Sequence, residues 1–371
     1  MYDCLILGGG VIGLSLAYEL AGHGLRVSVI DRGAPGRQAS WAGAGILPPA
    51  TNRPGDPPEL RLAGLSHELH AQWAADLREL TGIDNGYRRC GGIYIARDAQ
   101  AAGQLDQQMT DWHRRDVRVE PLTAEALHRL EPSLLPEFDD EPNIAACHVP
   151  DECQIRNPRH LKALLMACAR RGVSIEAGVA AEDFQVRGGR IERVFTSAGP
   201  LQAGSICLAC GSWSASLARR LQLSLPVRPV RGQIVLLASD RPVLSKIINE
   251  GSRYLVPRPD GRILIGSTEE EAGFDARPTA EGIAALVDFG RSLAPALGQM
   301  PIERSWAGLR PGSADGRPYL GRAAELENLY IATGHFRSGL QLAPATARVV
   351  GELIRGEKPS IDLAAFDPQR R

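Results

Sequence analysis

Residues 2–31 constrain the fold more than any other part of the chain. Tyr2 to Leu7 is a short apolar run of strand formers, followed by Gly8-Gly9-Gly10-Val11-Ile12-Gly13 and then by helical apolar spacing from Leu14 to Ala21. Arg26 to Ile30 reads as a second strand, closed by Asp31. Strand, glycine turn, helix, strand and acid, in that order, form the dinucleotide-binding βαβ unit. Gly8 permits the tight turn, Gly10 lets backbone approach a pyrophosphate, and Gly13 lets helix pack on strand. Val11 and Ile12 open the helix, whose unpaired amides and partial positive charge suit phosphate. Asp31, 18 residues after Gly13, falls where a carboxylate accepts hydrogen bonds from an adenosine ribose. An acid there disfavours a ribose phosphate.

Composition narrows the partner. The chain has 371 residues and a net charge of −1, which suggests about two domains and gives no positive excess for nucleic acid or an anionic membrane. A small-molecule partner is expected. Glycine is the outlier, with 40 residues, about 11% against a usual share of about 7%. Asp3 and the glycine cluster interrupt any secretory signal, and the longest uncharged stretch, Val194 to Ala218, is too broken by Gly, Pro and Ser to span a membrane. It reads as buried strand plus turns. Seven cysteines fit reduced thiols in a cytoplasmic protein better than a disulfide framework. Cys207 and Cys210 spell CxxC, but in an extended run residues three apart face opposite ways, so they read as buried small hydrophobes. His67 and His70 lack further ligands at metal-site spacing and read as a solvated helix face.

The remaining chain alternates two kinds of pattern. Leu60 to Leu80 and Asn157 to Arg171 have helical spacing, Asp98 to Pro142 is charged and helical, and Val173 to Ile175 and Ser205 to Ala209 are strands. Val227 to Leu237, Tyr254 to Pro257 and Arg262 to Ser267 alternate apolar with polar residues, as in an antiparallel sheet. Leu329 to Ala332 is a strand, and Gly334 to Gly339 a turn before a helix from Leu340 to Ile354. Nucleotide-type pieces thus recur at the start, middle and end. The expected fold is α/β: a Rossmann-like domain from residues 1–84, 143–225 and 318–371, with an inserted α+β antiparallel-sheet substrate domain from 85–142 and 226–317.

Several further motifs, in this order, resemble the amino-acid oxidase family of FAD flavoenzymes, which includes D-amino-acid and sarcosine oxidases, and in particular the glycine oxidases of thiamine biosynthesis. They are Ser40-Trp-Ala-Gly-Ala-Gly-Ile46, Arg231-Gly-Gln233, Tyr254-Leu-Val-Pro-Arg258 with Gly266-Ser-Thr268, Trp306-Ala-Gly-Leu-Arg-Pro-Gly312 with Asp315-Gly-Arg-Pro-Tyr-Leu-Gly321, and Gly334-His-Phe-Arg-Ser-Gly339. The resemblance covers essentially the whole chain. It implies that Arg310 forks a substrate carboxylate, that the Tyr254 hydroxyl helps fix it, and that Arg337 is a second substrate-side arginine. It also implies FAD contacts from Asp31 and Arg32, from Ala39, Ser40, Ala44, Gly45 and Ile46, and from the Val179 backbone against adenine. His335, Phe336, Arg337, Ser338, Gly339, Leu340 and Gln341 are implied around the flavin ring, where the last helix's positive end favours the anionic reduced form. No cysteine follows Cys210 in the motifs that tether FAD in some relatives, so noncovalent FAD is expected.

The implied reaction is oxidative deamination of a small amino acid, most simply glycine to glyoxylate, ammonia and hydrogen peroxide, with oxygen as acceptor and hand-off of the imine to a thiazole synthase. Direct hydride loss needs positioning rather than a protein base. Sarcosine or D-amino-acid oxidation, a dehydrogenase with another acceptor, and a non-catalytic flavin scaffold are the rivals. A homo-oligomer is compatible with the sequence. Ile46 replaces the methionine of some glycine oxidases, and Glu269-Glu270-Glu271 stands where an apolar roof is expected. An acidic roof would repel a carboxylate or attract an amine.

Overall fold

The computed structural model describes residues 1–134 and 145–370. Its centre is a six-stranded sheet ordered Tyr319–Arg322, Leu329–Thr333, Ala203–Leu208, Tyr2–Leu7, Val27–Asp31, Ser174–Ala177. All neighbours pair in parallel except Tyr319–Arg322 with Leu329–Thr333. Helices Val11–Gly22, Asn157–Arg170 and Gly339–Ile354 pack on this sheet around a core that includes Leu14, Leu164 and Val349. The expected boundary at 142/143 lies outside the described residues, as does the end of the segment expected at Pro142.

A second, eight-stranded sheet runs Ile302–Ser313, Val227–Leu237, Ile263–Gly266, Arg253–Pro257, Ile247–Glu250, Gly92–Ala96, Ala145–Val149, Glu120–Pro121. It is mixed rather than antiparallel throughout, because Ile247–Glu250 pairs in parallel with Gly92–Ala96, which enters from a distant part of the chain. The stretch read as strand plus turns also contains a helix, Ser214–Arg220, beyond the strand Ala203–Leu208. Short polar residues mask its helical spacing. Ala181–Arg187 and Arg190–Thr196 form a hairpin not expected from the sequence.

The helix Pro58–Thr81 corrects the reading of its histidines. His70 is buried, not solvated, and its Nε2 donates to the Gln341 carbonyl at 2.9 Å. Ser66 Oγ donates to the same carbonyl at 2.6 Å. Both reach the first turn of the last helix, where Pro344 has no amide to return to the Leu340 carbonyl and the Ala345 amide donates to Ser66 Oγ at 3.3 Å. The CxxC pair is unbridged, and all seven cysteines are free thiols.

Three buried histidines set the acid response. Burial holds His70 down at about 4 and His160 and His335 at about 3. Each unfolded imidazole takes up a proton near pH 6.5, where its folded counterpart stays neutral, so stability falls as pH drops below that value. Buried Glu152, raised to about 7, works the other way, since its folded form keeps a proton that the unfolded chain releases. Three groups outweigh one. The melting temperature is therefore expected to fall steadily between pH 7 and pH 5, and His160→Gln to flatten that slope by up to about 1.4 kcal/mol per pH unit. An unchanged slope in thermal denaturation would count against a neutral folded His160.

Candidate active site

The two sheets enclose a cavity of about 1210 Å³. At one end lies the glycine turn. A Cβ on Gly13 would stand 2.0 Å from the Gly8 carbonyl oxygen, and one on Gly8, where φ is 109°, would stand 2.5 Å from the Ala209 carbonyl oxygen. These two glycines are required by the protein's own packing. Gly10 differs: a Cβ there meets only Ser40 Oγ, at 3.3 Å, so its bare surface serves the cavity. Val11 donates its amide to Ser40 Oγ at 2.9 Å, while the amides of Ile12 and Gly13 have no acceptor among the described residues. The Asp31 carboxylate accepts from the amides of Gly9 and Gly33, both at 2.8 Å, which fixes it at the cavity edge. Beside it the Arg32 guanidinium lies 3.9 Å over the Trp213 ring, a partner with no local signal in the sequence.

The loop from Ala39 to Ile46 forms one wall. Its carbonyls are held from several directions: Ser40 by Asn157 Nδ2 at 2.9 Å, Ala42 by Trp306 Nε1 at 2.9 Å, Ala44 by Arg258 Nη2 at 2.6 Å, and Gly45 by the Ile155 amide at 2.8 Å. Ala39, Ser40, Ala44, Gly45 and Ile46 all face the cavity. Val179 also lines it, and its amide donates to the Asp31 carbonyl at 2.9 Å. Of its backbone, only the carbonyl is left to meet an adenine.

The residues from His335 to Gln341 line the opposite wall. Gly334 and Phe336 adopt left-handed backbone, with φ of 79° and 47°, and Phe336 donates to the Pro311 carbonyl at 2.9 Å. That turn leaves the amides of Gly339, Leu340 and Gln341 without acceptors among the described residues, at the positive end of a 16-residue helix. The His335 imidazole contributes no charge, being buried against Thr346 Oγ1 at 3.1 Å.

Arg310 and Tyr254 meet on the second sheet. Arg310 donates to Ser267 Oγ at 2.7 Å and to the Thr268 carbonyl at 3.1 Å, and it has no carboxylate partner among the described residues. Burial lowers its pKa, the sign of a cation that has lost water without gaining an anion. It lies over Gly232, where a Cβ would come within 2.1 Å of Nη2. The Tyr254 ring covers Gly266 in the same way, 2.6 Å from where a Cβ would stand. Arg337 is placed differently from the other two. Its Nη2 donates to the Ser252 carbonyl at 2.6 Å and its Nη1 to Glu269 at 3.3 Å, so it is tied to the rim. The acidic roof is likewise neutralised, Glu270 by Arg231 and Glu271 by Arg228, and it neither repels carboxylate nor draws amine as a bare cluster would.

One polar patch leaves only a faint trace in the sequence. Asn249 and Tyr94 line the cavity beside Tyr254, and buried Glu152 lies behind them, with Asn249 Nδ2 donating to Glu152 Oε1 at 3.2 Å. A polar residue ending the apolar run Ile247-Ile248-Asn249 is the available signal. Nothing local marks Glu152.

Glycine-lined helix ends and a long cavity for a dinucleotide, closed by a sheet that presents an unpaired arginine, define a cofactor-dependent oxidoreductase of the flavoenzyme class. The chain belongs to the FAD dependent oxidoreductase family, whose pattern matches residues 3–353. It is 36% identical to a glycine oxidase of Pseudomonas aeruginosa over 99% of this chain and 98% of that protein. It is also 36% identical to a bifunctional protein ThiO/ThiG of Synechocystis, over 99% of this chain but 54% of that one. The crystal structure of glycine oxidase from Geobacillus kaustophilus superposes with a TM-score of 0.94 at 33% identity, covering 100% and 99% of the two chains. Among the described residues no helix is long and apolar enough to cross a membrane.

The glycines separate two kinds of damage. Gly13→Val is expected to prevent folding, whereas Gly10→Val should fold and lose FAD, visible as a colourless protein with a native circular dichroism spectrum. A yellow Gly10→Val protein would remove Gly10 from the cofactor site. Gly232→Ala is expected to raise KM at least about tenfold with FAD retained, because Arg310 must shift. Unchanged steady-state kinetics would show that Arg310 is not held there for substrate.

Proposed function

We propose that this chain oxidises glycine to glyoxylate and ammonia, consuming oxygen and water and releasing hydrogen peroxide. The observation that carries this reading is the buried guanidinium of Arg310, facing the cavity with only neutral acceptors around it. A planar fork without a carboxylate of its own is a site for a substrate carboxylate. The names of the relatives at 34–36% identity support the choice of glycine.

The cavity residues fit FAD, with open amides at two helix ends and a glycine surface between them. Ile12 and Gly13 would hold the pyrophosphate, Asp31 the ribose, and Gly339 to Gln341 the electron-rich edge of the flavin ring. The chemistry FAD supplies when bound is acceptance of two electrons and a proton equivalent as hydride. The chain's own part is positional. Arg310 and Tyr254 fix the carboxylate so that the α-carbon faces the cofactor, and Arg337, braced by Glu269 and Ser252, closes the rim. No protein base is needed beyond an amine presented in neutral form, and orientation supplies most of the rate.

Fusion of a related sequence in the Synechocystis ThiO/ThiG protein supports a hand-off of the imine or glyoxylate to a thiazole synthase. The free thiols support a cytoplasmic setting. Both the noncovalent state of FAD and a homo-oligomer belong to this reading.

The test is peroxide production under air, with anaerobic flavin bleaching in parallel, for glycine, sarcosine and D-alanine. Glycine is expected to have the highest kcat/KM, and Arg310→Ala to cut it by about a hundredfold or more through KM, with FAD still bound. Bleaching without peroxide would reassign the acceptor. No bleaching by any amine would leave only a flavin-binding role.

A further inference from the structure

Arg310 and Tyr254 account for the carboxylate end of an amino acid; the amine end needs an acceptor as well. Arg337, also on the cavity wall, is a cation and cannot serve. The acids of residues 269–271 are occupied by arginines. On the sheet, Asn249 stands directly opposite Tyr254 in the antiparallel register, and Tyr94 stands beside Asn249 on the next strand. Directly opposed residues project from the same face. Asn249 is 8% exposed, and that exposure is to the cavity.

The orientation of its amide is set from behind. Glu152 is fully buried, and its Oε1 accepts from Asn249 Nδ2 at 3.2 Å. Glu152 Oε1 accepts whether the acid is ionised or carries its proton on the unpartnered Oε2, and an amide nitrogen donates, so this contact turns Nδ2 inward and leaves Oδ1 outward. Asn249 Oδ1 has no donor among the described residues, and it is not sealed among the buried unpartnered atoms, whereas Glu152 Oε2 is. A buried acid with no cationic partner is costly to keep in either protonation state unless it has a task. Gly92 makes room for it, since a Cβ there would stand 2.2 Å from Oε2.

We infer that Asn249 Oδ1 is the acceptor for the substrate's amine N–H, with Glu152 as the positioning residue that fixes the amide in that sense. This rests on the amino-acid reading of the site. It adds that recognition is two-ended: carboxylate at Arg310 and Tyr254, N–H at Asn249. The carbonyl accepts from an ammonium or from a neutral amine alike, so it binds the substrate without holding the proton that must leave before oxidation.

The experiment compares a ligand with both ends and one with the carboxylate alone. In the FAD-loaded enzyme, Asn249→Ala is expected to raise KM for glycine about tenfold, the loss of one hydrogen bond to a charged group, while Ki for acetate as a competitive inhibitor stays within about twofold. Glu152→Gln should raise the glycine KM less, because its amide can present either end to Asn249. The double variant should be no worse than Asn249→Ala, since Glu152 acts on glycine only through Asn249. The bound-flavin absorption spectrum, unchanged in all three, separates this from a collapsed site. An unchanged glycine KM in Asn249→Ala, an equal loss of acetate binding, or additive effects in the double variant would each overturn the inference. If the wild-type enzyme binds acetate but is reduced by no amine, the amino-acid reading itself falls, and this inference with it.

Discussion

The two sheets are joined at the carbonyls of residues 40–45. Asn157, on a helix packed against the six-stranded sheet, holds Ser40, while Trp306 and Arg258, on the eight-stranded sheet, hold Ala42 and Ala44. Arg258 is 6% exposed and bonds only to neutral oxygens, those of Ala44, Gln154 and Ile155. Burial and neighbouring arginines lower it to about 10, still cationic at neutral pH. A buried guanidinium is tolerated when its hydrogen bonds are met, and here they are met by the loop that forms the cavity wall. Losing those contacts would release the wall and misalign both ends of the site together.

Around the acidic roof, one arginine is left without a carboxylate among the described residues and three are paired. Arg228, Arg231 and Arg337 each have a glutamate, whereas Arg310 has carbonyl and hydroxyl oxygens only. The glutamate run, anomalous as sequence, is therefore what engages Arg228, Arg231 and Arg337 and leaves Arg310 alone.

How much of this is legible in the sequence follows from the range of the contacts. The glycine turn and its acid are local, and the alternation of Val227 to Leu237 matches the strand Val227–Leu237 because period two is set by the pleat. Arg310 and Tyr254 stand out through motif resemblance and not through any spacing of their own. His70 reads wrongly as solvated because its partner, the Gln341 carbonyl, lies 271 positions away. Glu152 and Asn249, 97 positions apart, are connected by sheet order alone. Which backbone group Val179 offers the cavity is equally hidden, since only the fold shows its amide continuing the edge of Val27–Asp31.

The strand order of the central sheet has a consequence for how the chain is made. Tyr2–Leu7 is flanked by Val27–Asp31, which emerges from the ribosome almost at once, and by Ala203–Leu208, which emerges about two hundred residues later. The next strand outward is Leu329–Thr333, and the helix that caps the far wall ends at Ile354. The βαβ unit of residues 2–31 therefore waits with an open edge and an uncovered apolar face until residues 203–354 have been made. Its loop-closure cost is met late, which favours slow folding and means the cavity walls come together only after the last helix is made.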